Sequence, residues 1–350
     1  LNFVVQPSCL RHNLILGNCL SCNISNRAHM LVSRRCPDEN LTELRQLRRR
    51  GMTIIELLLV ISILGVLIAL LLPAIQAARE ASRRNLCLNQ LKQITLAAQA
   101  YQEEHRQFPP GYLGPPPFQS LSPVSGSCVG VHYFLLPYLE QPQLGKAIQQ
   151  NLAPTPSSPG WWGNAELKNC AKTVMGGLTC PSDSSADVGY GTVAAVHTYL
   201  SGTTPKIQSA VISTANGAAF YARSNYLGIS GGMGYLDDPA WDRWRGIFSN
   251  RSHYAIKDIV DGTSNTLMFG ESCGYEGGER KYVFSWFCGA LPTGYGLDGS
   301  TWSQFSSAHP GIVQFGYVDG SAHAISRELS PEVYQAMSGI ADREIFDKPW

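Results

Sequence analysis

The hydrophobic pattern of the chain changes character three times. From Met52 to Leu72, 17 of 21 residues are apolar, interrupted only by Thr53, Glu56, Ser62 and Gly65. At 1.5 Å per residue such a helix spans roughly 30 Å, the thickness of a bilayer's hydrocarbon core. From Ala74 to Gln107 the continuous hydrophobicity becomes a stripe. Leu88, Leu91, Ile94, Ala98 and Tyr101 recur at helical spacing in a stretch free of Gly and Pro, which predicts a helix laying one face on a globular domain. Pro73 stands between the two halves and either ends a membrane helix or kinks a longer one. After Gln107 the text FPPGYLGPPPFQSLSPVSGSCVG stops the helix.

Beyond that loop, residues 131–150 read as short helical pieces broken by Pro137 and Pro142. Residues 151–163 form a loop carrying Trp161 and Trp162, which either mark a binding surface or anchor the loop in the core. From Cys170 onward the pattern is one of short strands and turns. Asp261-Gly262 precedes a β-prone run, Thr266 to Phe269. Near the end, VQFGYV and SAHAIS flank Asp319-Gly320. This predicts a hairpin with a two-residue turn, positive φ at both central positions, and Val313, Phe315 and Tyr317 on one face.

Composition agrees with a folded, strand-rich domain: 44% hydrophobic and only 15% charged residues, with 34 Gly and 21 Pro over 350 positions. The net charge of +1 hides an asymmetry, because residues 1–51 hold eight Arg against three acids and leave 19 basic and 23 acidic residues downstream. That distribution gives no footprint for nucleic acid, and the upstream arginines suit the edge of a membrane. Of ten cysteines, Cys9, Cys19, Cys22 and Cys36 lie upstream of Gly51. Six lie downstream, an even number able to form disulfides in an oxidising compartment, with no pairing deducible. The single CxxC, Cys19 and Cys22, lacks the second pair that a zinc site needs.

An ordinary secretory signal has its cleavage site after the apolar region. Here Arg48-Arg49-Arg50-Gly51-Met52-Thr53-Ile54-Ile55-Glu56-Leu57 places basic residues and a glycine before it, and a lone carboxylate one turn inside. A charge at the centre of a membrane helix costs about 2.5–3.5 kcal/mol on insertion scales, so Glu56 needs a reason. The pattern resembles the leader of type IV prepilins and type II secretion pseudopilins. The resemblance implies cleavage by prepilin peptidase after Gly51 and methylation of the new amine on Met52, which stands where the family normally has Phe. It also implies pairing of Glu56 with the N-terminal amine of a neighbouring subunit, and a helix kinked at Pro73. The arginines on the two sides of the apolar run give little orientation bias, and the leader resemblance implies a cytoplasmic N-terminus. Residues 1–50 make a long leader beginning with Leu, so translation is expected to start further along, at Met30 or at a later Leu.

The likeness extends further. RRNLCLNQLKQ, FPPG, LLPYLEQ, TCPSD, SNYLGISGG, DGTSNTLMFGE and a closing His309-x9-Asp319-Gly320 are similar to a large family of bacterial prepilin-like proteins whose main domain has no established function.

Competing chemistry is weaker. Gly228-Ile229-Ser230-Gly231-Gly232 satisfies G-x-S-x-G, but the following GGMGYLDDP cannot supply the helix that a nucleophile elbow requires. His309 and Asp319 are separated by about 33 Å of strand if fully extended, so they cannot share one ion without a bend. Asp258, Asp261 and Asp298 sit beside turns, which leaves calcium as the one candidate cofactor, without a recognisable ligand spacing. Glu80 and Arg84 are expected to pair on a solvated helix face. No catalytic, cofactor-binding or metal-ligating residue is assigned.

The expected architecture is α+β and pilin-like: a leader over 1–51, a transmembrane half-helix over 52–72, an exported half over 73–107, and a β-rich domain over 108–350 with its hairpin motif at 309–320. The long helix packs on an antiparallel sheet with extended loops. The expected protein is a non-enzymatic structural subunit of a pilus- or pseudopilus-like fibre, spanning the inner membrane once, with its C-terminal domain periplasmic or extracellular. Its partners are prepilin peptidase and other pilin-like subunits. The alternative is a membrane-tethered module binding a glycan or solute.

Overall fold

The structure is a computed structural model of the chain that describes residues 52–115, 126–152, 158–183, 191–213 and 221–349. Gly51 and the leader lie outside the described residues. The chain divides into two compact units, 1–61 and 62–350. The described part of the first is the start of helix α1 (Ile54–His105).

Helix α1 is continuous over 52 residues and contains Pro73. Proline therefore does not end the helix. It leaves the carbonyl one turn upstream without its N–H partner, which is the local condition for a kink. The helix stops where Arg106 turns to φ +62°, with its N–H donating to the Gln102 carbonyl at 2.8 Å, two residues before Phe108-Pro109-Pro110. In the second unit, α1 buries Cys87, Leu91, Ile94, Thr95, Ala97 and Ala98, while Leu88 and Tyr101 flank that core half-buried. The expected stripe is present, with Cys87, Thr95 and Ala97 added to it. Pro142 begins helix α3 (Pro142–Asn151) rather than breaking one, after the short α2 (Val131–Leu135), as suits a residue whose missing N–H is unused in a first turn.

The strands are β1 (Gly191–Ser201), β2 (Thr204–Ser213), β3 (Arg223–Ser224), β4 (Tyr226–Ile229), β5 (Leu267–Glu271), β6 (Tyr275–Glu276), β7 (Glu279–Arg280), β8 (Tyr282–Ser285), β9 (Ala290–Leu291), β10 (Ile312–Tyr317) and β11 (Ala322–Ser326). They form a four-stranded sheet in the order β2-β1-β8-β3, a five-stranded sheet β11-β10-β5-β4-β9, and the β6-β7 ribbon. Pairing is mostly antiparallel, but β1 with β8 and β4 with β9 run parallel. The fold is α+β, one long helix followed by a sheet domain.

Strand β10 shows how helix and sheet meet. Val313, Phe315 and Tyr317 enter an apolar cluster with Phe284, Phe305 and Tyr334. The opposite face meets α1: Gln314 donates to the Arg84 carbonyl at 3.0 Å, and a Cβ on Gly316 would fall 2.5 Å from Cγ2 of Thr95.

The β10–β11 hairpin is real but its turn differs from the two-residue expectation. Of Asp319 and Gly320 only Gly320 has positive φ, at +86°. Gly320 N–H donates to the Tyr317 carbonyl and Tyr317 N–H to the Ser321 carbonyl, at 3.0 and 2.8 Å. This is a three-residue loop, a type I turn closed by a glycine bulge. Asp319 accepts hydrogen bonds from the Ser321 amide and hydroxyl, and so has no need of the left-handed region.

Candidate functional site

Two places carry chemistry. The first is the start of α1. Thr53 caps it: Thr53 Oγ1 accepts from the Glu56 amide at 3.2 Å, while Glu56 Oε2 accepts from the Thr53 amide at 2.9 Å and its hydroxyl at 3.0 Å. Thr-x-x-Glu is thus a reciprocal capping box, which gives Glu56 a local partner that sequence reading did not credit. Met52 precedes the cap, outside the helix, and every residue from Met52 to Leu72 is exposed. Among the described residues α1 is the one helix long and apolar enough to cross a membrane.

The second place is a buried polar cluster built from five segments far apart in sequence. Helix α1 supplies Glu80 and Cys87, the loop after α4 (Ala165–Cys170) supplies Cys180 and Asp183, and the approach to β4 supplies Asn225. The end of β5 supplies Glu271, and the loop before β10 supplies His309. One donor atom from each of Cys87, Cys180, Glu271 and His309 lies within 4.8 Å of the others, and all four residues are buried. The sulfurs stand 2.8 Å apart as free cysteines, and Cys180 Sγ is 3.5 Å from Nε2 of His309. On the other side of the ring, Nδ1 contacts Oε1 of Glu80 at 2.5 Å. Glu80 also takes Arg83 at 2.6 Å and Arg84 at 3.5 Å. The expected pairing of Glu80 with Arg84 is present but secondary, because the carboxylate turns toward His309.

The loop that presents Cys180 is held from beneath. Asn225 Oδ1 accepts from the Cys180 amide at 2.9 Å, and its Nδ2 donates to Asp183 at 2.6 Å. Asp183, itself buried, is gripped by both terminal nitrogens of Arg280 and approached by Arg223 at 3.6 Å. Tyr226 lies beside Cys87, Cys180 and Glu271, buried, with its hydroxyl donating to Gln90 at 2.7 Å.

Protonation follows from these contacts. Burial raises the Glu80 carboxyl, but hydrogen bonds from His309 and Arg83 outweigh it and bring the pKa down to about 2. Burial lowers the His309 imidazole, yet its bonds with Cys180 and Glu80 and the nearby Glu271 carry it up to about 9. Glu271 is pushed well above the carboxylate range by burial, and the thiol of Cys180 rises through its contact with Cys87 and through burial.

The residues predicted from sequence are therefore dispersed. Gly51 lies outside the described residues, Met52 and Glu56 are together at the helix start, and Pro73 is inside the helix. The His-x9-Asp-Gly motif divides: His309 enters the buried cluster, while Asp319 and Gly320 shape a turn on the far side of β10. Asp258, Asp261 and Asp298 each accept backbone N–H groups in separate loops. Trp161 is a core anchor, with Nε1 donating to the Ala194 carbonyl at 3.2 Å. Ser230 comes directly after β4, and the chain there enters a glycine turn, not a helix: a Cβ on Gly231 would meet the backbone of Trp244 and Gly246 at 2.1 Å. Sequence reading missed Cys87, Cys180 and Glu271. The available signals were a cysteine on the buried stripe of α1 and a carboxylate closing the otherwise apolar strand LMFGE.

Residues 76–285 match the family described as "Protein of unknown function (DUF1559)", and residues 46–72 match the prokaryotic N-terminal methylation motif. No curated protein and no solved structure matches the chain.

Proposed function

Because the chain belongs to the DUF1559 family of proteins of unknown function and carries a prepilin-type methylation motif, we propose that this prepilin-like protein is a structural subunit of a pilus- or pseudopilus-like assembly. Prepilin peptidase cuts it after Gly51 and methylates Met52. The apolar half of α1 sits in the inner membrane with its N-terminus cytoplasmic, and later packs against the same segment of neighbouring pilin-like subunits. The sheet domain acts outside the cytoplasm as a structural element, not an enzyme.

The observation that supports this reading is the uniformly exposed apolar surface from Ile54 to Leu72 joined to a carboxylate in its first turn. Lipid or other apolar helices must cover such a surface. A simple anchor has no use for the charge of Glu56 beyond the cap, whereas an assembling helix uses it to receive a neighbour's amine.

The capping box makes the test sharp. Glu56→Gln keeps a capping side chain at the same position and removes the charge, while Glu56→Ala removes both. A fibre subunit loses multimers in both variants and keeps its membrane anchoring. Normal multimers in Glu56→Gln would show that the residue serves only the cap, and would overturn the assembly role. Mass spectrometry of the mature chain should find a methylated Met52 as its first residue; any other first residue would refute the processing step.

A further inference from the structure

We propose that Cys87, Cys180, Glu271 and His309 form a structural binding site for one thiolate-seeking divalent metal ion of the zinc class, with Glu80 orienting the His309 ring. Such a site does not depend on assembly into a fibre.

The donor set comes first. Two thiols, an imidazole nitrogen and a carboxylate are the side chains that hold zinc, at about 2.0–2.3 Å from the ion. Tetrahedral ligands at those lengths stand roughly 3.3–3.8 Å from one another. The Cys180–His309 and His309–Glu271 separations, 3.5 and 4.0 Å, are already close to this. The two sulfurs, at 2.8 Å, have to part by about 1 Å to share the ion.

Glu271 is the second and independent observation. It has no exposed surface, and neither carboxylate oxygen makes a hydrogen bond of normal geometry, although Ser307 and Cys180 lie alongside. A carboxylate taken out of water without partners is costly, and a cation among its neighbours is the direct remedy. A disulfide between Cys87 and Cys180 satisfies the sulfurs but leaves both Glu271 oxygens without a hydrogen bond of normal geometry.

His309 supplies the third. Its Nδ1 is committed to Glu80 and its Nε2 faces the sulfurs and Glu271. A carboxylate behind a histidine, fixing which nitrogen points at the metal, is the usual outer support of a metal ligand. The backbone behind Cys180 is fixed in the same way by Asn225 and Asp183. Four protein ligands close the coordination sphere, so the ion is structural rather than catalytic. It would fasten α1, through Cys87, to the end of β5 and to the loop entering β10. On binding, both thiols, the Nε2–H of His309 and the carboxyl of Glu271 give their protons to solvent, since the ion takes thiolate, neutral imidazole and carboxylate.

The test uses the full chain, purified in detergent without chelator or reductant. Elemental analysis should find one zinc-class ion per chain, and X-ray absorption should find two sulfur and two nitrogen or oxygen neighbours. After mild chelation, cobalt(II) added to wild-type protein should give the visible spectrum of tetrahedral thiolate-bound cobalt, which zinc then abolishes. Cys180→Ser and His309→Ala should lose the ion, Glu80→Gln should bind it about 10–100-fold more weakly, and Cys170→Ser, outside the cluster, should keep it. Should the ligand variants fail to fold, the wild-type cobalt spectrum still decides. Three results would overturn the site: a Cys87–Cys180 disulfide in peptide maps of the isolated protein, a metal without sulfur neighbours, or wild-type protein with reduced thiols that takes up no cobalt.

Discussion

Gly316 sits where β10 crosses α1, at a point with room for a hydrogen and nothing larger. A methyl there would stand 2.5 Å from Cγ2 of Thr95. Gly316→Ala should therefore destabilise the protein by about 1–3 kcal/mol, and Thr95→Ser, which removes the opposing methyl, should restore part of the loss in thermal unfolding. Asp342 makes a different residue-scale prediction. Burial first, then the charges of Asp261 and Glu344, raise its carboxyl to about 6, against about 3.9 in an unfolded chain. The folded state thus holds the proton more tightly. Asp342 favours folding at low pH, and that contribution is lost as pH rises through about 6. Asp342→Asn should raise the Tm at pH 7 and change it little near pH 4; an equal shift at both pH values would contradict the assignment.

Among the elements, the helix and the hairpin were legible for different reasons. Helical spacing from Leu88 to Tyr101 reports a face directly, so the packing stripe of α1 could be read off. The hairpin could be placed, because Asp319-Gly320 between alternating runs is a strong turn signal. Its geometry could not, because Asp-Gly serves both a two-residue turn and a type I turn with a bulge; the choice depends on how far the ladder closes. Gly320 carries the strain alone at φ +86°. Gly320→Val should cost about 1–2 kcal/mol and Gly320→Asn distinctly less, whereas a mirror-image turn would make Asp319 equally sensitive. The loop behind Cys180 depends on Asp183, buried between Arg280 and Arg223. Asp183→Asn leaves Arg280 and the partly exposed Arg223 short of a buried counter-charge and should cost about 3–5 kcal/mol in urea unfolding.

At the scale of the whole molecule, sequence exposed the N-terminal chemistry and concealed the interior. Gly51, Met52 and Glu56 fall within six consecutive residues, and one short motif displays all three. The buried cluster draws on positions from Glu80 to His309, and no spacing rule links Cys87 on a helix, Cys180 in a loop and Glu271 at a strand end. Each looks unremarkable alone. The motifs RRNLCLNQLKQ, TCPSD, SNYLGISGG and DGTSNTLMFGE and His309 identified a family without explaining it. In the fold each sends at least one side chain to the same place, so their common purpose is spatial.

The cap at the head of α1 has a consequence for proteolysis. A peptidase needs the backbone around its target bond extended and reachable, and a helix running back through that bond would have to be unwound first. Thr53 ends the helix two residues short of the Gly51–Met52 bond, with Met52 already outside it. Cut there as proposed, the chain would keep its first turn untouched, with Glu56 still bonded to Thr53 and its charge held at the helix head for a neighbour's amine.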